Sequence, residues 1–373
     1  MPKLKNAILA LTAIKGSAAR YGADYATLVR RFIHLYRNRR FSPYEIYFND
    51  LLNPRISNEA LENYLSREEV IAFESKNVLN TYLCVTSDKA VFYSLCLAAI
   101  VRIPKLLAVF DRPAGWTPDG RILSSESDWC ALLESLPRAF VVKPALGLLG
   151  RGVTAFCREG DDFLDHKAQR RTRVELYELL CNAKEQNLFT GSFSHHSLKL
   201  PKGSHKTIIQ ERLYAHPEIA KLTGSDALCT CRLLTHTDPS GNIQLLASAM
   251  RMINGNNIVD NFDSGKTGNL WCGVDADTGR VLEAFARVER ANRMELVTRH
   301  PTTGRDIIGF CIPHWKEAVE LARRLATVFR PQPFIHWDIG ITRDGPVAIE
   351  GNVGGHLLPL PHNRPAQTFL ADG

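Results

Sequence analysis

Hydrophobic residues recur at helical spacing through the first part of the chain. Leu28, Phe32 and Tyr36 follow one another every four residues with arginines between them, which predicts an amphipathic helix. A second apolar stretch, over residues 87–100, has the composition of a buried helix and stops shortly before a proline. The pattern therefore predicts a helical N-terminal region over residues 1–75, followed by at least one further helix.

Beyond residue 105 the pattern changes to short apolar runs separated by turn residues, which is typical of strands. One hairpin is predicted across Pro239-Ser240-Gly241, and an amphipathic helix is predicted over residues 313–329. This is an α+β pattern with antiparallel hairpins, not a doubly wound parallel sheet. Residues 160–205 are polar and match no element. The predicted strands cover residues 106–110, 140–144, 152–156, 207–213, 228–237, 243–253, 334–339 and 347–350.

Positive charge is concentrated at the N-terminus. Residues 1–40 contain nine lysines and arginines against one acid, Asp24, so this segment carries +8 and the rest of the chain sums to −1. Such a helical arm suits an anionic membrane surface or an acidic protein partner, although a solvated helix face would have the same composition. Nucleic acid is not expected as a partner, because no reader motif accompanies the charge.

Composition limits the class of protein. No run approaches the roughly 18 apolar residues that a membrane span needs. Residues 1–19 loosely resemble an export signal, but their apolar stretch is short and Lys15 ends it before the small residues. Nine scattered cysteines without a CxxC pair indicate free thiols and no zinc site. We therefore expect a cytoplasmic protein of two or three domains.

Two carboxylates and a carboxamide converge near the C-terminus. Arg343-Asp344-Gly345 supplies a turn between two strands, and a symmetric three-residue loop would place Asp338 opposite Glu350. A two-residue loop would shift the register by one and still leave the two residues neighbours. Asn352 shares a face with Glu350, because side chains two apart point to the same side of a strand. Neighbouring carboxylates repel unless a cation joins them, and all-oxygen ligands suit Mg²⁺. The hairpin is therefore a candidate magnesium site, with a solvated acidic edge as the alternative.

A lysine and three glycines form a second candidate site. Lys143 ends an apolar strand and precedes a loop that contains Gly147, Gly150 and Gly152. Glycines let backbone N–H groups approach phosphate oxygens, and a lysine adds positive charge to the same site. No GK[ST] follows and the next element is a strand, so the segment is neither a Walker loop nor a dinucleotide fingerprint. An ordinary glycine-containing hairpin is the alternative.

Taken in order, these segments resemble the ATP-grasp superfamily. The series runs from Asp88-Lys89 through VVKP…GRGV, IIQERL, CTCRLL and DNFDSGKTGN to WDIGIT and AIEGN. More narrowly, the chain resembles the sugar-transfer-associated branch, which is related to glutamate-ligase-like enzymes, over about residues 40–365. The resemblance implies an α+β fold in which two lobes with antiparallel sheets clamp ATP, after a helical N-terminal region. The implied divisions are residues 1–75 (basic helical region), 76–135 (pre-ATP-grasp or linker region), 136–207 (lid lobe) and 208–373 (C-terminal lobe with the metal site).

The resemblance also implies which residues contact the nucleotide. Lys89 and Lys143 would contact its phosphates, and the loop from Gly147 to Gly152 would cover them. The strand that lines the adenine would contribute Gln210, Glu211, Arg212 and Leu213.

The remaining implied residues surround the triphosphate end. Arg232 would reach the transferred phosphate, and the loop of Asn261 and Gly265-Lys266 would close around the triphosphate, with Lys266 as a further phosphate contact. Arg251 would share the cleft of Arg232 if the hairpin register allows, or else lie on the surface. The metal ligands would be Asp338, Glu350 and Asn352. ATP and Mg²⁺ are the expected cofactors, with Mn²⁺ as an alternative metal.

The implied activity is that of a ligase that joins a small-molecule or peptide carboxylate to a nucleophile, an amine or a thiol. It would act through an acyl phosphate and release ADP and phosphate. One alternative is a kinase that phosphorylates a hydroxyl, and another is a non-catalytic nucleotide-binding module that binds a partner. Among the histidines, His195, His196 and His205 are expected in an exposed loop, and His356 is a candidate for a substrate contact.

Overall fold

Two antiparallel sheets and an N-terminal group of helices form the protein. The computed structural model describes residues 2–62, 64–77, 79–111, 114–147, 150–182, 206–288 and 293–353. The predicted α+β class is confirmed, because every strand pair is antiparallel. The helices are α1 (Pro2–Tyr21), α2 (Tyr25–Arg37), α3 (Pro43–Phe48), α4 (Asn58–Glu62), α5 (Arg67–Asn77), α6 (Cys84–Ser87), α7 (Lys89–Ala98), α8 (Glu126–Ser135), α9 (Arg173–Cys181), α10 (Pro217–Thr223) and α11 (Trp315–Val328). The strands are β1 (Leu106–Asp111), β2 (Ala114–Trp116), β3 (Ile122–Leu123), β4 (Ala139–Pro144), β5 (Thr154–Glu159), β6 (Asp162–Asp165), β7 (Arg170–Arg171), β8 (Lys206–Glu211), β9 (Thr230–Thr237), β10 (Ile243–Met252), β11 (Leu270–Val274), β12 (Val281–Val288), β13 (Arg293–Leu296), β14 (Phe334–Thr342) and β15 (Gly345–Asn352).

The N-terminal helices pack around a core of their own. Leu28, Phe32 and Leu35 on α2 are buried against Phe41 and other apolar side chains, because residues three and four apart share one side of a helix. Tyr36, which the sequence places on the same stripe, is instead exposed. The predicted helical region is therefore confirmed, but its outer face is more apolar than the pattern indicates.

Part of the predicted basic arm is neutralised within this region. Arg20, Arg39 and Arg40 form ion pairs with acidic residues between 50 and 69. Arg31 donates hydrogen bonds to two backbone carbonyls of the same segment. Several of the nine basic residues therefore stabilise the packing of the helices on one another.

The first sheet has eight strands in the order β3-β2-β1-β8-β4-β5-β6-β7. Helices α8 and α9 cover one of its faces, with Trp129 and Leu176 packed on the sheet. The strand predicted over 207–213 ends at Glu211, so Arg212 and Leu213 follow it. Strands from both sides of residue 135 join this sheet, and the domain boundaries proposed from the sequence stay predictions.

The second sheet has seven strands in the order β13-β12-β11-β10-β9-β14-β15, with α11 packed against it. Both hairpins predicted from the sequence, β9–β10 and β14–β15, are confirmed. Helix α3 contacts β13, so the N-terminal helices pack on this sheet through Phe48. Within the described ranges, none of the helices combines the length and the apolar character required to cross a lipid bilayer.

Candidate active site

The C-terminal hairpin aligns its two carboxylates as the sequence predicts. Asp338 on β14 lies opposite Glu350 on β15, and Arg232 on β9 lies on its other side. The loop between the strands has two residues, because Thr342 pairs with Gly345, so the shorter of the two loops considered from the sequence is present. A bulge in β15 between the partners of Asp338 and Ile339 adds one residue and restores the predicted pairing.

Two guanidinium groups hold the carboxylate of Asp338, whose side chain is buried (1% exposed). Arg232 binds both oxygens, Nε to Oδ1 at 2.8 Å and Nη2 to Oδ2 at 2.9 Å. Arg251 Nη2 lies 2.8 Å from Oδ2. Burial alone would raise the pKa of Asp338, but the two arginines outweigh burial and hold this pKa well below its ordinary value.

Arg251 is itself fixed from behind by residues that the sequence did not single out. Its Nη2 donates to Thr230 Oγ1 at 2.6 Å and lies 3.5 Å from Asp260 Oδ1. The other oxygen of Asp260 accepts the backbone N–H and the hydroxyl of Thr230, both at 2.6 Å. The register pairs Arg251 with Thr230 on β9, so Arg251 faces the cleft of Arg232 and the surface alternative is wrong.

Lys89 joins the hairpin to the glycine loop. It is the first residue of α7, directly after Asp88, which caps the helix by accepting from the N–H of Ala90 at 2.8 Å. Lys89 Nζ donates to the carbonyl of Gly147 at 2.9 Å and lies 3.3 Å from Glu350 Oε2. One ammonium group therefore contacts both elements that the sequence predicts at the nucleotide.

Lys143 lies in a buried polar chain. Its Nζ donates to the hydroxyl of Tyr93 at 3.1 Å, and this hydroxyl donates to Gln210 Oε1 at 2.8 Å. Burial, reinforced by the nearby charge of Lys89, lowers the pKa of Lys143 to about 7. Tyr93 was not among the residues predicted at the site, although its position four residues after Lys89 on α7 puts the two side chains on one helix face.

The glycine loop comes close to the loop of Asn261. Gly150 and Gly152 have φ angles of 65° and 76°, which favour glycine. A Cβ on Gly150 would lie 2.8 Å from Val259 Cγ1, and one on Gly152 would lie 2.9 Å from Pro144 Cγ. The positions of Leu148 and Leu149 lie outside the described residues.

The side chains of two residues expected near the adenine, Glu211 and Arg212, have partners within the protein. Glu211 Oε1 accepts the backbone N–H of Lys105 at 2.7 Å, so this carboxylate connects the end of β8 to the residue that precedes β1. Arg212 stacks on Tyr214 and lies 3.5 Å from Asp226. Leu213 follows the end of the strand. The adenine contacts of these residues stay predictions.

Lys266 and Asn261 lie on the loop expected to close around the triphosphate. The Lys266 side chain is 61% exposed and its ammonium lies 3.7 Å from Asp263, so among the described residues it is not brought against Asp338 or Glu350. The carbonyl of Asn261 accepts from Thr267 Oγ1 at 2.6 Å, which braces the loop. The histidines His195, His196, His205 and His356 lie outside the described residues.

The donor set at the hairpin fits a hard metal ion. Asn352 Nδ2 lies 3.3 Å from Glu350 Oε1 and 3.5 Å from Asp338 Oδ2, so the three predicted ligands are neighbours. The described ranges contain no group of three or more His, Cys, Asp or Glu residues suited to a metal. Two carboxylates and an amide are nevertheless sufficient for Mg²⁺, which commonly completes its shell with phosphate oxygens and water. Asp338 already binds two arginines, so Glu350 and Asn352 are the more accessible ligands.

A family model described as sugar-transfer associated ATP-grasp matches residues 70–360. Comparison with curated proteins gave no match. Solved structures with a similar fold include an ADP complex of N5-carboxyaminoimidazole ribonucleotide synthetase, at 11% identity and a TM-score of 0.38 over 73% of this chain and 45% of that chain.

Two further solved structures come from named bacteria. A biotin carboxylase from Campylobacter jejuni has 11% identity and a TM-score of 0.37 over 73% of this chain and 41% of that chain. A D-alanyl-alanine synthetase A from Vibrio cholerae has 10% identity and a TM-score of 0.41 over 77% of this chain and 64% of that chain. The match thus covers less than half the length of the N5-carboxyaminoimidazole ribonucleotide synthetase and of the biotin carboxylase.

Proposed function

Because the chain belongs to the family of sugar-transfer-associated ATP-grasp proteins, we propose that it is an ATP- and Mg²⁺-dependent ligase. It joins a carboxylate, of a small molecule or a peptide, to an amine or a thiol and passes through an acyl phosphate. The observation that carries this proposal is the position of Lys89, whose ammonium contacts both Gly147 in the glycine loop and Glu350 in the metal hairpin. Phosphate-binding and metal-binding groups thereby meet at one point.

The proposed reaction proceeds in two steps. A carboxylate oxygen of the first substrate attacks the γ-phosphorus of ATP, the bond from this phosphorus to the β–γ bridging oxygen breaks, and ADP leaves. The nitrogen or sulfur of the second substrate then attacks the acyl carbon, the acyl–phosphate bond breaks, inorganic phosphate leaves and the nucleophile loses a proton. No covalent enzyme intermediate is required.

The residues around Asp338 and Glu350 position the substrates and supply positive charge. Lys143 and Lys89 bind phosphate oxygens, and the guanidinium of Arg232 stabilises the negative charge that develops on the transferred phosphoryl group. Asp260 and Thr230 keep Arg251 against Asp338, so the cationic side of the cleft stays oriented without substrate. Glu350 and Asn352, with Asp338 beside them, would hold Mg²⁺, which would supply further neutralisation of the phosphate charge.

The products distinguish a ligase from a kinase. With Mg²⁺·ATP, a panel of carboxylic and amino acids, and hydroxylamine as the nucleophile, we expect ADP and free phosphate in equal amounts together with a hydroxamate. The hydroxamate forms because hydroxylamine attacks the acyl carbon of an acyl phosphate. Omitting the acid should abolish all three products. Release of ADP without free phosphate, accompanied by a phosphorylated hydroxyl compound, would contradict the ligase and support the kinase.

Proton uptake should accompany ATP binding above neutral pH. The pKa of Lys143 in the free protein is lowered to about 7, so at pH 8 about nine-tenths of this amine is neutral. Bound phosphate favours the charged amine and raises its pKa, so close to one proton should enter per ATP at pH 8, and much less at pH 6. Titration calorimetry in two buffers of different ionisation enthalpy measures this number. Lys143→Arg, which stays protonated, should abolish the uptake; equal uptake by both proteins would refute the assignment.

A further inference from the structure

Large apolar side chains are unusually exposed on the first two helices. Seven of the eighteen exposed large apolar residues in the described ranges lie within the first 36 positions. Their exposed fractions run from 38% to 69%, and none of them belongs to the cleft of Asp338. They are Leu4, Ile8, Leu11, Tyr25, Val29, Ile33 and Tyr36. A concentration of this kind marks an interaction surface more often than scattered single residues do.

The spacing of these residues gives each helix an apolar outer stripe. On α1 they stand at positions 4, 8 and 11, and on α2 at positions 25, 29, 33 and 36. Side chains three and four apart lie on one side of a helix, so each set forms a line along its helix. Other side chains of the same helices form the N-terminal core: Ala13 is buried on the opposite side of α1, and Leu28 and Leu35 are buried on the side of α2 that adjoins its exposed stripe. The outer stripes are therefore additional to the folding core.

The charge around the stripes is predominantly positive. Lys15, Arg30 and Arg37 are exposed on the same two helices. The acid of residues 1–40, Asp24, is occupied as the N-cap of α2, where its carboxylate accepts from the N–H of Thr27 at 2.8 Å. The surface formed by α1 and α2 thus combines aliphatic and tyrosine side chains with lysine and arginine and has almost no negative charge.

We propose that this outer surface of α1 and α2 binds an anionic lipid bilayer, with the two helices lying in the plane of the headgroups. Apolar stripes enter the boundary between headgroups and acyl chains, while basic side chains at their margins contact lipid phosphates. Tyrosines suit that depth, because the ring is apolar and the hydroxyl is polar. Charge complementarity thus selects an acidic surface. An acidic soluble protein would satisfy the lysines and arginines but not seven exposed apolar side chains in two lines.

Vesicle sedimentation of the full chain tests the proposal. Wild type should co-sediment with phosphatidylcholine vesicles that contain phosphatidylglycerol, bind pure phosphatidylcholine weakly, and lose much of its binding at high salt. Ile8→Asp/Ile33→Asp should lower the partition coefficient at least tenfold. Arg30→Gln/Arg37→Gln should lower it about 25-fold, because each basic residue near an anionic surface contributes roughly a fivefold gain.

A matched control is available on the sheets. Ile122 and Leu296 are 65% and 61% exposed, so Ile122→Asp/Leu296→Asp adds the same charges at similar exposure and should leave vesicle binding unchanged. The melting temperature of each variant checks that the helices still fold. Absence of wild-type binding to anionic vesicles, or equal binding by the two aspartate variants, would overturn the proposal. Retention on immobilised poly-glutamate without vesicle binding would instead identify an acidic protein as the partner.

Discussion

Replacing Glu350 by alanine should lower Mg²⁺-dependent ATP turnover about a thousandfold or more. Mutation of residues that only hydrogen-bond to a metal's ligands already lowers metal affinity or activity about 10- to 100-fold. The loss of a direct carboxylate ligand should therefore have a larger effect. The fold should persist, because this side chain is partly exposed and its contact with Lys89 is a single 3.3 Å ion pair. Lys89 would keep its hydrogen bond to Gly147.

The same variant should also lose stabilisation by the nucleotide. A ligand present at 100 times its dissociation constant stabilises the native state by about 2.7 kcal/mol, which raises the melting temperature of the wild type by several degrees. Glu350→Ala should show little of this rise with Mg²⁺·ATP. Asp344→Ala is the matched control, because Asp344 lies on the same hairpin but at its exposed turn. Full turnover in Glu350→Ala would show that the hairpin does not belong to the catalytic site.

Site residues on regular strands could be predicted from the alternation of side chains, whereas those that depend on irregular backbone could not. The pairing of Asp338 with Glu350 follows from turn position and a period of two, yet it depends on a β-bulge that compensates for a shorter loop. A bulge of this kind has no signature in the local residues. Thr230 was recoverable, since it lies two residues before Arg232 and shares its face. Asp260 was not, because it lies in a segment without periodicity.

The sequence also did not show which positively charged group pairs with the buried carboxylate of Asp338. Two neighbouring acids indicate that a positive charge is required, but alternation gives only the face of a strand and not the side chain that reaches across it. The structure shows that Arg232 and Arg251 already supply two positive charges to Asp338. The three groups form one electrostatic unit, so Asp338 has a structural role in addition to any metal contact.

Asp338→Ala should therefore destabilise the protein by about 3–5 kcal/mol, because removing one partner of a buried ion pair leaves the other charges uncompensated. The corresponding fall in melting temperature is about 10 °C, whereas Glu350→Ala should shift it by no more than a degree or two. Thermal unfolding of the ligand-free variants, followed by circular dichroism, measures both. Asp338→Asn should lose less than Asp338→Ala, because its amide oxygen still accepts from Arg232. Equal melting temperatures for Asp338→Ala and Glu350→Ala would show that the two guanidinium groups find other partners, and the carboxylate would then serve the metal alone.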